Sequence, residues 1–276
     1  MDKNIKLRNK IIIYFFLTLG ALIMVLPFVW MILTSFKTMS ESTQVPIVIF
    51  PKTFNWNNYI EVTQVLHFGT YYKNTIMVAV LRTFGTLLLA SMAAYSFARI
   101  KFPGRNLLFV IVLSVFMIPW QCFMIPNFVL MTKWGWTDSI QGIVVPGLFS
   151  AYGVFLLRQV FISLPNELEE AAIIDGCNQF RVYSRIMLPL AKSGMVALGT
   201  VTFLWSWNDL LWPLVVNHSD SKLTLAVGIS NMVGQFITRY PMLMAGALMA
   251  CIPMIIVFII FQDQFVDGIA FTGMKN

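Results

Sequence analysis

Six long stretches of this chain are nearly free of charge, and they limit the possible folds more than any other feature. They are residues 11–36, 74–98, 106–132, 139–157, 193–217 and 240–262. Four contain no Asp, Glu, Lys, Arg or His, while the second contains only Arg82 and the fifth only Asp209. A helix needs about 20 apolar residues to cross a bilayer core, and each stretch can supply roughly that number. One such stretch could be a buried helix of a soluble protein, but six together predict a membrane protein.

The composition agrees with this interpretation and excludes other classes. The chain is 58% hydrophobic and 11% charged, whereas a soluble domain carries about 25% charged residues. Strands of a membrane β-barrel would alternate in runs of about 10 residues, which these stretches do not do. The net charge of +7 does not indicate nucleic acid, because the basic residues follow membrane topology. We predict an all-α integral membrane protein with six transmembrane helices, in which residues 1–276 form a single transmembrane domain.

The distribution of Lys and Arg predicts the orientation. With the N-terminus inside, twelve of these residues lie on the inner side and six on the outer side, which favours both termini in the cytosol. Sequence patterns for chemistry are lacking: there is no GxxxxGK[ST] nucleotide-binding loop, no Ser/His/Asp cluster and no metal-ligand spacing. We therefore predict no catalytic residue, no metal site and no cofactor bound by this chain.

One long polar segment, residues 163–192, interrupts the apolar sequence on the predicted cytosolic side. Pro165 and the glutamates that follow it favour the start of a helix. Gly176 can adopt the left-handed conformation that ends a helix, and Asn178 can cap a second one, which Pro189 is expected to stop. The apolar stripe of that second helix consists of Phe180, Tyr183 and Met187.

The small side chains of Ala171 and Ala172 give the first of these helices a surface with little bulk, beside its acidic residues. Such a surface suits docking into the groove of a partner protein, since it lets the two backbones approach closely. A solvated loop with good local helix propensity is the alternative, and the residues alone leave both open.

The spacing within this segment resembles a known motif. Glu170-Ala171-Ala172, three residues, Gly176, nine residues, Ile186, one residue and Leu188-Pro189 match the EAA loop of ABC importer permeases at every position. Other stretches are similar to the carbohydrate-type permeases of the maltose-permease group. They are SFK at 35–37, FNWNNY at 54–59, AAYSFAR at 93–99, WSWNDLLWPL at 205–214 and the C-terminal FVDGIAFTGMKN.

The resemblance implies a type I ABC importer permease fold, with a core over about residues 70–263 that contains the cytosolic coupling loop at 163–192. In that family the loop seats in a cleft of the cytosolic ATPase. The residues assigned to ATPase coupling are Glu170, Ala171, Ala172, Asp175, Gly176, Ile186, Leu188 and Pro189. Cys177 departs from the family pattern, in which a small residue such as alanine is expected.

The resemblance also implies a function: import of a sugar or oligosaccharide by alternating access, driven by closure of ATPase subunits. The implied partners are a second permease in a heterodimer, two cytosolic ATPase subunits that hold ATP and Mg, an extracytoplasmic solute-binding protein, and the lipid bilayer of a prokaryotic cell membrane. No nucleic acid is implied, and the chain itself is not expected to be an enzyme. The alternatives are an importer of glycerol-3-phosphate or a polyol phosphate and, in another class, a secondary transporter.

Two stretches supply candidates for the substrate pathway. Trp205, Asn208 and Asp209 combine an aromatic face with hydrogen-bonding groups, which suits a sugar, and polar groups within a membrane usually face a cavity or one another. The nearby Trp212 has an interfacial aromatic belt or packing as its alternative. The third stretch is interrupted by prolines beside Gln121 and Asn127. That helix either lines the pathway as a broken helix or is merely kinked.

Arg82 and Asp209 are the only charged residues within the predicted spans, and each lies eight residues from the predicted outer end of its helix. Because a lone charge at that depth costs a few kcal/mol or more, about 3 by insertion scales, the two are predicted to pair inside the bundle near an outer gate. The alternative is that Arg82 extends to the outer surface while Asp209 binds Asn208 or backbone groups. The tail, 273–276, is either a frayed terminus or, as the resemblance suggests, reaches the ATPase interface.

Overall fold

A computed structural model of the protein describes the backbone of residues 3–234 and 238–273, and the side chains of 10–234, 238–260 and 262. Within those ranges the regular elements are all helical, which confirms the all-α prediction. Three helices are long and apolar enough to cross a membrane by themselves, and three further bent helix pairs bring the number to six if each pair is one span. The count of six spans and the cytosolic termini remain predictions.

The chain divides into two compact units, one formed by residues 1–67 and 229–252 and the other by 68–228 and 253–276. The helices of the first part of the chain are α1 (Lys3–Ser35), α2 (Met39–Thr43) and α3 (Asn57–Val65). Then follow α4 (Phe68–Arg99), α5 (Arg105–Phe116), α6 (Met124–Lys133), α7 (Ile140–Val144), α8 (Ala151–Ser163), α9 (Glu167–Ile174), α10 (Gln179–Val182), α11 (Leu188–Leu190), α12 (Lys192–Trp207), α13 (Leu211–Val216), α14 (Leu225–Ser230) and α15 (Tyr240–Gly273).

In the first unit, polar side chains complete the helix ends. The amide nitrogen of Asn58, at the start of α3, donates to the carbonyls of Ser35 (2.7 Å) and Lys37 (2.9 Å), which lie at and just beyond the end of α1. These carbonyls would otherwise lack a partner. Thr38 and Glu41 form a capping box at α2, and the hydrogen bond from the Thr38 backbone lowers the pKa of Glu41.

In the second unit, α4 is the central helix. It packs along its length against α8 and α12. Small residues allow this close packing: Ala90 and Ala94 of α4 are almost fully buried in a core that also contains Leu157, Phe161 and Leu198. The core therefore sits where three membrane helices meet, and it extends to the polar segment through Ala172, Val182, Tyr183 and Met187.

Helix breaks interrupt three of the predicted spans. The third is bent by 97° between α5 and the turn that begins at Trp120, just after Pro119, which cannot donate a backbone hydrogen bond. The fourth is bent by 48° between Gly147 and Ala151, where the Ser150 side chain caps α8. The fifth ends as α12 at Trp207 and resumes as α13 at Leu211. These three spans are therefore broken helices rather than continuous ones.

Candidate functional site

Two of the three helix breaks, those of the third and fourth predicted spans, line one cavity of about 550 Å³. Its walls come from α4, from the α5–α6 break, from the Pro146–Ser150 break and from the C-terminal half of α12. Irregular backbone inside a membrane is tolerated where it lines a cavity, because its polar groups then find water or a ligand. The third span is broken rather than merely kinked, and Asn127 lines the cavity; that this cavity belongs to a substrate pathway stays a prediction.

Aromatic rings form one wall of the cavity. The rings of Phe116 and Tyr152 are stacked with centroids 6.2 Å apart, and Tyr152 lies 5.7 Å from the ring of Trp205. Trp205 is 58% exposed within this chain and lines the cavity. Sequence reasoning identified Trp205 but missed Phe116 and Tyr152, since only the fold brings these two aromatic residues beside it.

Arg82 and Asp209 form an ion pair at this cavity. Nη1 of Arg82 lies 2.8 Å from Oδ2 of Asp209, and the two side chains are 15% and 13% exposed. The Arg82 Nε also lies 3.4 Å from the carbonyl oxygen of Gly147, at the break before α8. A side chain at Gly147 would collide with the guanidinium, because a Cβ there would lie 2.1 Å from Nε. The structure thus shows Arg82 paired with Asp209, and not extended to the surface as in the alternative.

The pair leaves the cavity without net charge. Arg82 is the only residue among its described lining that carries a formal charge at neutral pH, and Asp209 offsets that charge. Beside Arg82, the cavity wall holds aromatic rings, hydroxyls, one side-chain amide and aliphatic side chains, which is a surface suited to a neutral polyhydroxylated ligand.

Other predicted pathway residues lie elsewhere. Asn208 is exposed within this chain and is not part of the cavity wall; its amide donates to the Leu204 carbonyl (3.0 Å) in the turn that ends α12, and its place in the bundle interior stays a prediction. Gln121 is also exposed and is not part of the cavity wall. Trp212 is 1% exposed and its indole donates to the Gly142 carbonyl at 3.0 Å, which makes it a packing residue rather than part of a lipid-facing belt.

The polar segment, residues 163–192, forms the two predicted helices. We call these residues the coupling segment. Glu167–Ile174 is the first helix, and Pro165 lies two residues before it rather than in its first turn. Gly176 has φ +82°, as expected for a glycine that ends a helix. The side chain of Asn178 accepts from the Arg181 backbone at 2.9 Å and caps the second helix.

The second helix differs from its prediction at Pro189. The helix is not stopped there: it passes through a π-helical turn, Tyr183–Met187, continues through Leu190, and bends by 78° before α12. A proline cannot bond the carbonyl four residues earlier. The wider π turn directly before Pro189, in which the Leu188 N–H bonds the Tyr183 carbonyl, accommodates that loss.

The surface of the coupling segment also corrects the sequence interpretation. Glu170, Ala171, Asp175 and Gly176 are exposed, whereas Ala172 is 6% exposed and packs inside the chain's own core. The small size of Ala172 thus serves internal packing. Ile186 and Leu188 are half-buried and Pro189 is exposed.

Two apolar side chains of the coupling segment are largely exposed. Phe180, predicted for the apolar stripe, is 65% exposed, while Tyr183 and Met187 are buried. Ile174, which sequence reasoning did not select, is 85% exposed. The predicted tail ends in residues 274–276, which lie outside the described residues.

Comparison with known proteins places these features in a wider group. A family described as "Binding-protein-dependent transport system inner membrane component" matches residues 86–270. The chain is 34% identical to the arabinooligosaccharides transport system permease protein AraQ of Halalkalibacterium halodurans, over 98% of this chain and 100% of that one. It is 33% identical to the sn-glycerol-3-phosphate transport system permease protein UgpE of Pectobacterium atrosepticum, over 83% and 84%.

A solved structure shares the fold. A chain of a bacterial ABC transporter involved in the import of the acidic polysaccharide alginate superposes with a TM-score of 0.84, at 24% identity, over 96% of this chain and 99% of that one. At that identity the likeness concerns the fold alone. It agrees with the permease fold predicted from the sequence.

Proposed function

We infer that this chain, which belongs to the family of inner membrane components of binding-protein-dependent transport systems, is a permease subunit of an ABC importer for a sugar or oligosaccharide. Family membership sets aside the secondary transporter that the sequence left open. As a multi-pass membrane protein it is placed in the cytoplasmic membrane of a bacterium. The observation that carries the choice of substrate is the cavity, which combines exposed aromatic faces with no net charge.

The physical chemistry of the cavity favours a neutral glycan over a phosphate ester. A pyranose has an apolar face that can lie against Trp205 and Tyr152, and a polar rim that can bond Asn127 and the cavity hydroxyls. A phosphate would need a free cation, but the guanidinium of Arg82 is already bonded to Asp209. The relative named for arabinooligosaccharides agrees with this choice. The relative named for sn-glycerol-3-phosphate keeps the second substrate class as the competitor to be tested.

The coupling segment supplies the link to ATP hydrolysis in this proposal. Its exposed acids lie beside two exposed apolar side chains, Ile174 and Phe180, so a partner that covers them gains about 25 cal/mol per Å² of apolar surface. The partner is a cytosolic ATPase subunit, on which ATP and Mg are held. A second permease completes the membrane pore, and an extracytoplasmic solute-binding protein delivers the sugar.

Transport then follows from a difference in binding. Closure of the ATPase subunits moves this chain only if the closed and open ATPase bind the coupling segment with different free energies. That difference shifts the membrane helices between a cavity open to the outside and one open to the cytosol. This chain contributes the positions of the rings and of the ion pair, and no bond is made or broken on it.

The test uses the whole complex in proteoliposomes, with its solute-binding protein. Neutral oligosaccharides, including arabinooligosaccharides, are expected to stimulate ATP hydrolysis and to be taken up, whereas sn-glycerol-3-phosphate is not. Stimulation by sn-glycerol-3-phosphate alone would overturn the substrate class. Recovery of the chain without any nucleotide-binding subunit would overturn the importer assignment itself.

A further inference from the structure

Three polar side chains of α4 form a row that faces the coupling segment. Ser91, Tyr95 and Arg99 are spaced four residues apart, so they lie on one side of the helix over about 12 Å. Ser91 and Tyr95 are 1% and 3% exposed, and the side chain of Arg99 is 5% exposed. We call these three residues the polar face of α4. Buried polar groups at such a density are stable only if each of them is hydrogen-bonded.

The two hydroxyls of the polar face bind both helices of the coupling segment. The Ser91 Oγ lies 2.8 Å from the Tyr183 hydroxyl in the π-helical turn. The Tyr95 hydroxyl lies 3.2 Å from Oε1 of Glu169 in α9 and 2.8 Å from Oε1 of Gln179 in α10. Tyr95 is therefore in reach of the first and the second helix at once.

A count of hydrogens assigns these bonds. A phenol has one hydrogen and can donate to only one of two acceptors. If the amide of Gln179 is oriented with its NH₂ group toward Tyr95, it donates to the phenol oxygen while the phenol donates to the Glu169 carboxylate. This orientation satisfies all three groups, and it makes Tyr95 a bridge between the helices.

Arg99, the third residue of the polar face, binds the stretch of chain that leads from α8 into the coupling segment. Its guanidinium donates to the Phe161 carbonyl at 2.6 and 3.1 Å and also to the Leu164 carbonyl and the Asn166 side chain. Its Nη1 lies 3.9 Å from the Glu169 carboxylate. One side chain thus satisfies the end of α8 and the start of α9, the two elements between which the coupling segment begins.

The covalent connections of the coupling segment run elsewhere. They lead to α8 at one end and, through the 78° bend, to α12 at the other. Any displacement that reaches α4 directly must pass through noncovalent contacts, and buried hydrogen bonds fix their partners more narrowly than apolar contacts do. The same helix carries Arg82 and Thr86 into the cavity wall, about 20 Å from Tyr95 along the helix for Arg82.

We propose that the polar face of α4 is the joint that carries movement of the coupling segment to the cavity, with Tyr95 as its positioning residue. This inference rests on the proposed function, because it assumes that a partner moves the coupling segment. Tyr95 itself is not part of the cavity wall, and it is buried beneath the coupling segment, where it contacts Glu169 and Gln179. Its role is to keep both coupling helices in register with α4.

The decisive variant is Tyr95→Phe, which removes one oxygen and leaves the ring against Phe161 and Tyr183, at 5.8 and 5.4 Å. In the reconstituted complex, the number of sugar molecules transported per ATP hydrolysed is expected to fall about tenfold, within the usual range of coupling between sites. The matched control is Tyr14→Phe, which removes a phenol oxygen from a side chain that is 65% exposed. A ratio equal to that of the wild type in Tyr95→Phe would overturn the proposal.

If the complex that carries Tyr95→Phe does not assemble, a second pair of variants tests the proposed joint. Ser91→Ala removes the bond to Tyr183, whereas Ser96→Ala removes a bond to the carbonyl of Met92 within the same helix. Only Ser91→Ala is expected to lower transport per ATP, and equal ratios in the two would contradict the joint. Glu169→Gln, which keeps an acceptor for Tyr95, is expected to stay closer to the wild-type ratio than Glu169→Ala. If the wild-type complex shows no substrate-stimulated hydrolysis, the proposed function fails instead.

Discussion

The two sites on α4 that matter for transport, its C-terminal end at the coupling segment and its middle at the cavity, are held in different ways. At the coupling end, the polar face distributes its bonds over three residues and six partners. At the cavity, the helix is held by one ion pair and by weak bonds to a single carbonyl, that of Gly147. A distributed attachment loses strength in steps when one member is removed, whereas a single buried pair leaves an uncompensated charge. The comparison predicts that single substitutions are more damaging at the cavity than at the joint.

The largest effect is expected from Asp209→Ala. Removing one partner of a buried pair typically costs about 3–5 kcal/mol, because the remaining charge is left unpaired. Uptake and the yield of the intact complex should both fall, while Glu61→Ala, which breaks an exposed pair with Arg239, should change stability by at most about 1 kcal/mol. Thermal denaturation of the purified complex and uptake assays measure the two quantities.

The charge-reversed double variant, Arg82→Asp with Asp209→Arg, sharpens this comparison. Because it restores an opposite pair, it is expected to transport better than either single reversal. If the double variant is no better than the worse single variant, the two side chains act independently and the contrast between the two sites on α4 is lost.

The next largest effect is expected from Gly176→Pro, at the coupling end. Proline cannot adopt φ +82° and would lose the bond from the Gly176 N–H to the Ile173 carbonyl, at a local cost of about 3 kcal/mol. The protein should still insert, but uptake should fall to background and ATPase subunits should no longer copurify. Gly176→Asn is the matched control, since Asn tolerates this conformation.

Glu170→Lys is expected to act on the same docking without disturbing the backbone. The substitution reverses a charge in the first turn of α9, where the helix dipole favours an acid. Uptake should fall with the protein still present in the membrane. Normal uptake in both Glu170→Lys and Gly176→Pro would show that the coupling segment does not dock.

A smaller effect is expected from Gly147→Ala. The added methyl would collide with the Arg82 guanidinium, so the pair with Asp209 must shift, at a cost of about 1–3 kcal/mol. Transport should fall while copurification with the ATPase is unchanged. Gly20→Ala serves as the control because nothing lies within 4 Å of its added Cβ. If the two substitutions had equal effects on transport, the space that Gly147 leaves for Arg82 would not matter for transport.

The smallest effect is expected at the tail. If residues 273–276 reach the ATPase interface, their deletion should alter substrate-stimulated ATP hydrolysis without changing uptake by more than about twofold, as befits a terminal segment. Hydrolysis equal to that of the full chain would assign them to a frayed end.

Much of the fold could be predicted because its causes are local. Runs of apolar residues predicted where the membrane helices lie, and Gly176 and Asn178 predicted the two helix boundaries of the coupling segment from backbone conformation and capping alone. The ion pair could also be predicted, since a buried charge needs a partner and Arg82 has one candidate at its depth. Each of these conclusions rests on a residue and its neighbours along the helix.

The remainder depends on contacts between distant parts of the chain. Ala172 is buried because of the core it meets, and nothing in its own sequence distinguishes it from the exposed Ala171. Tyr152 becomes part of an aromatic wall only after the break that precedes α8 turns it toward Trp205. The polar face of α4 is similar: serine, tyrosine and arginine near a predicted cytosolic end are unremarkable until their partners, 62 to 92 residues later, are brought against them.

The separation of Arg82 from Asp209 has a consequence for biosynthesis. The two residues are 127 positions apart, and a ribosome adds about 5–20 residues per second, so Arg82 waits about 6–25 s for its counter-charge. During that interval the helix bears an insertion cost of about 3 kcal/mol. Nascent chains arrested before residue 209 should therefore leave α4 more accessible to aqueous thiol reagents than chains arrested beyond it, as a cysteine placed at Phe84 would report. Helix α4 is therefore expected to reach its final position late in synthesis, although its residues are made early.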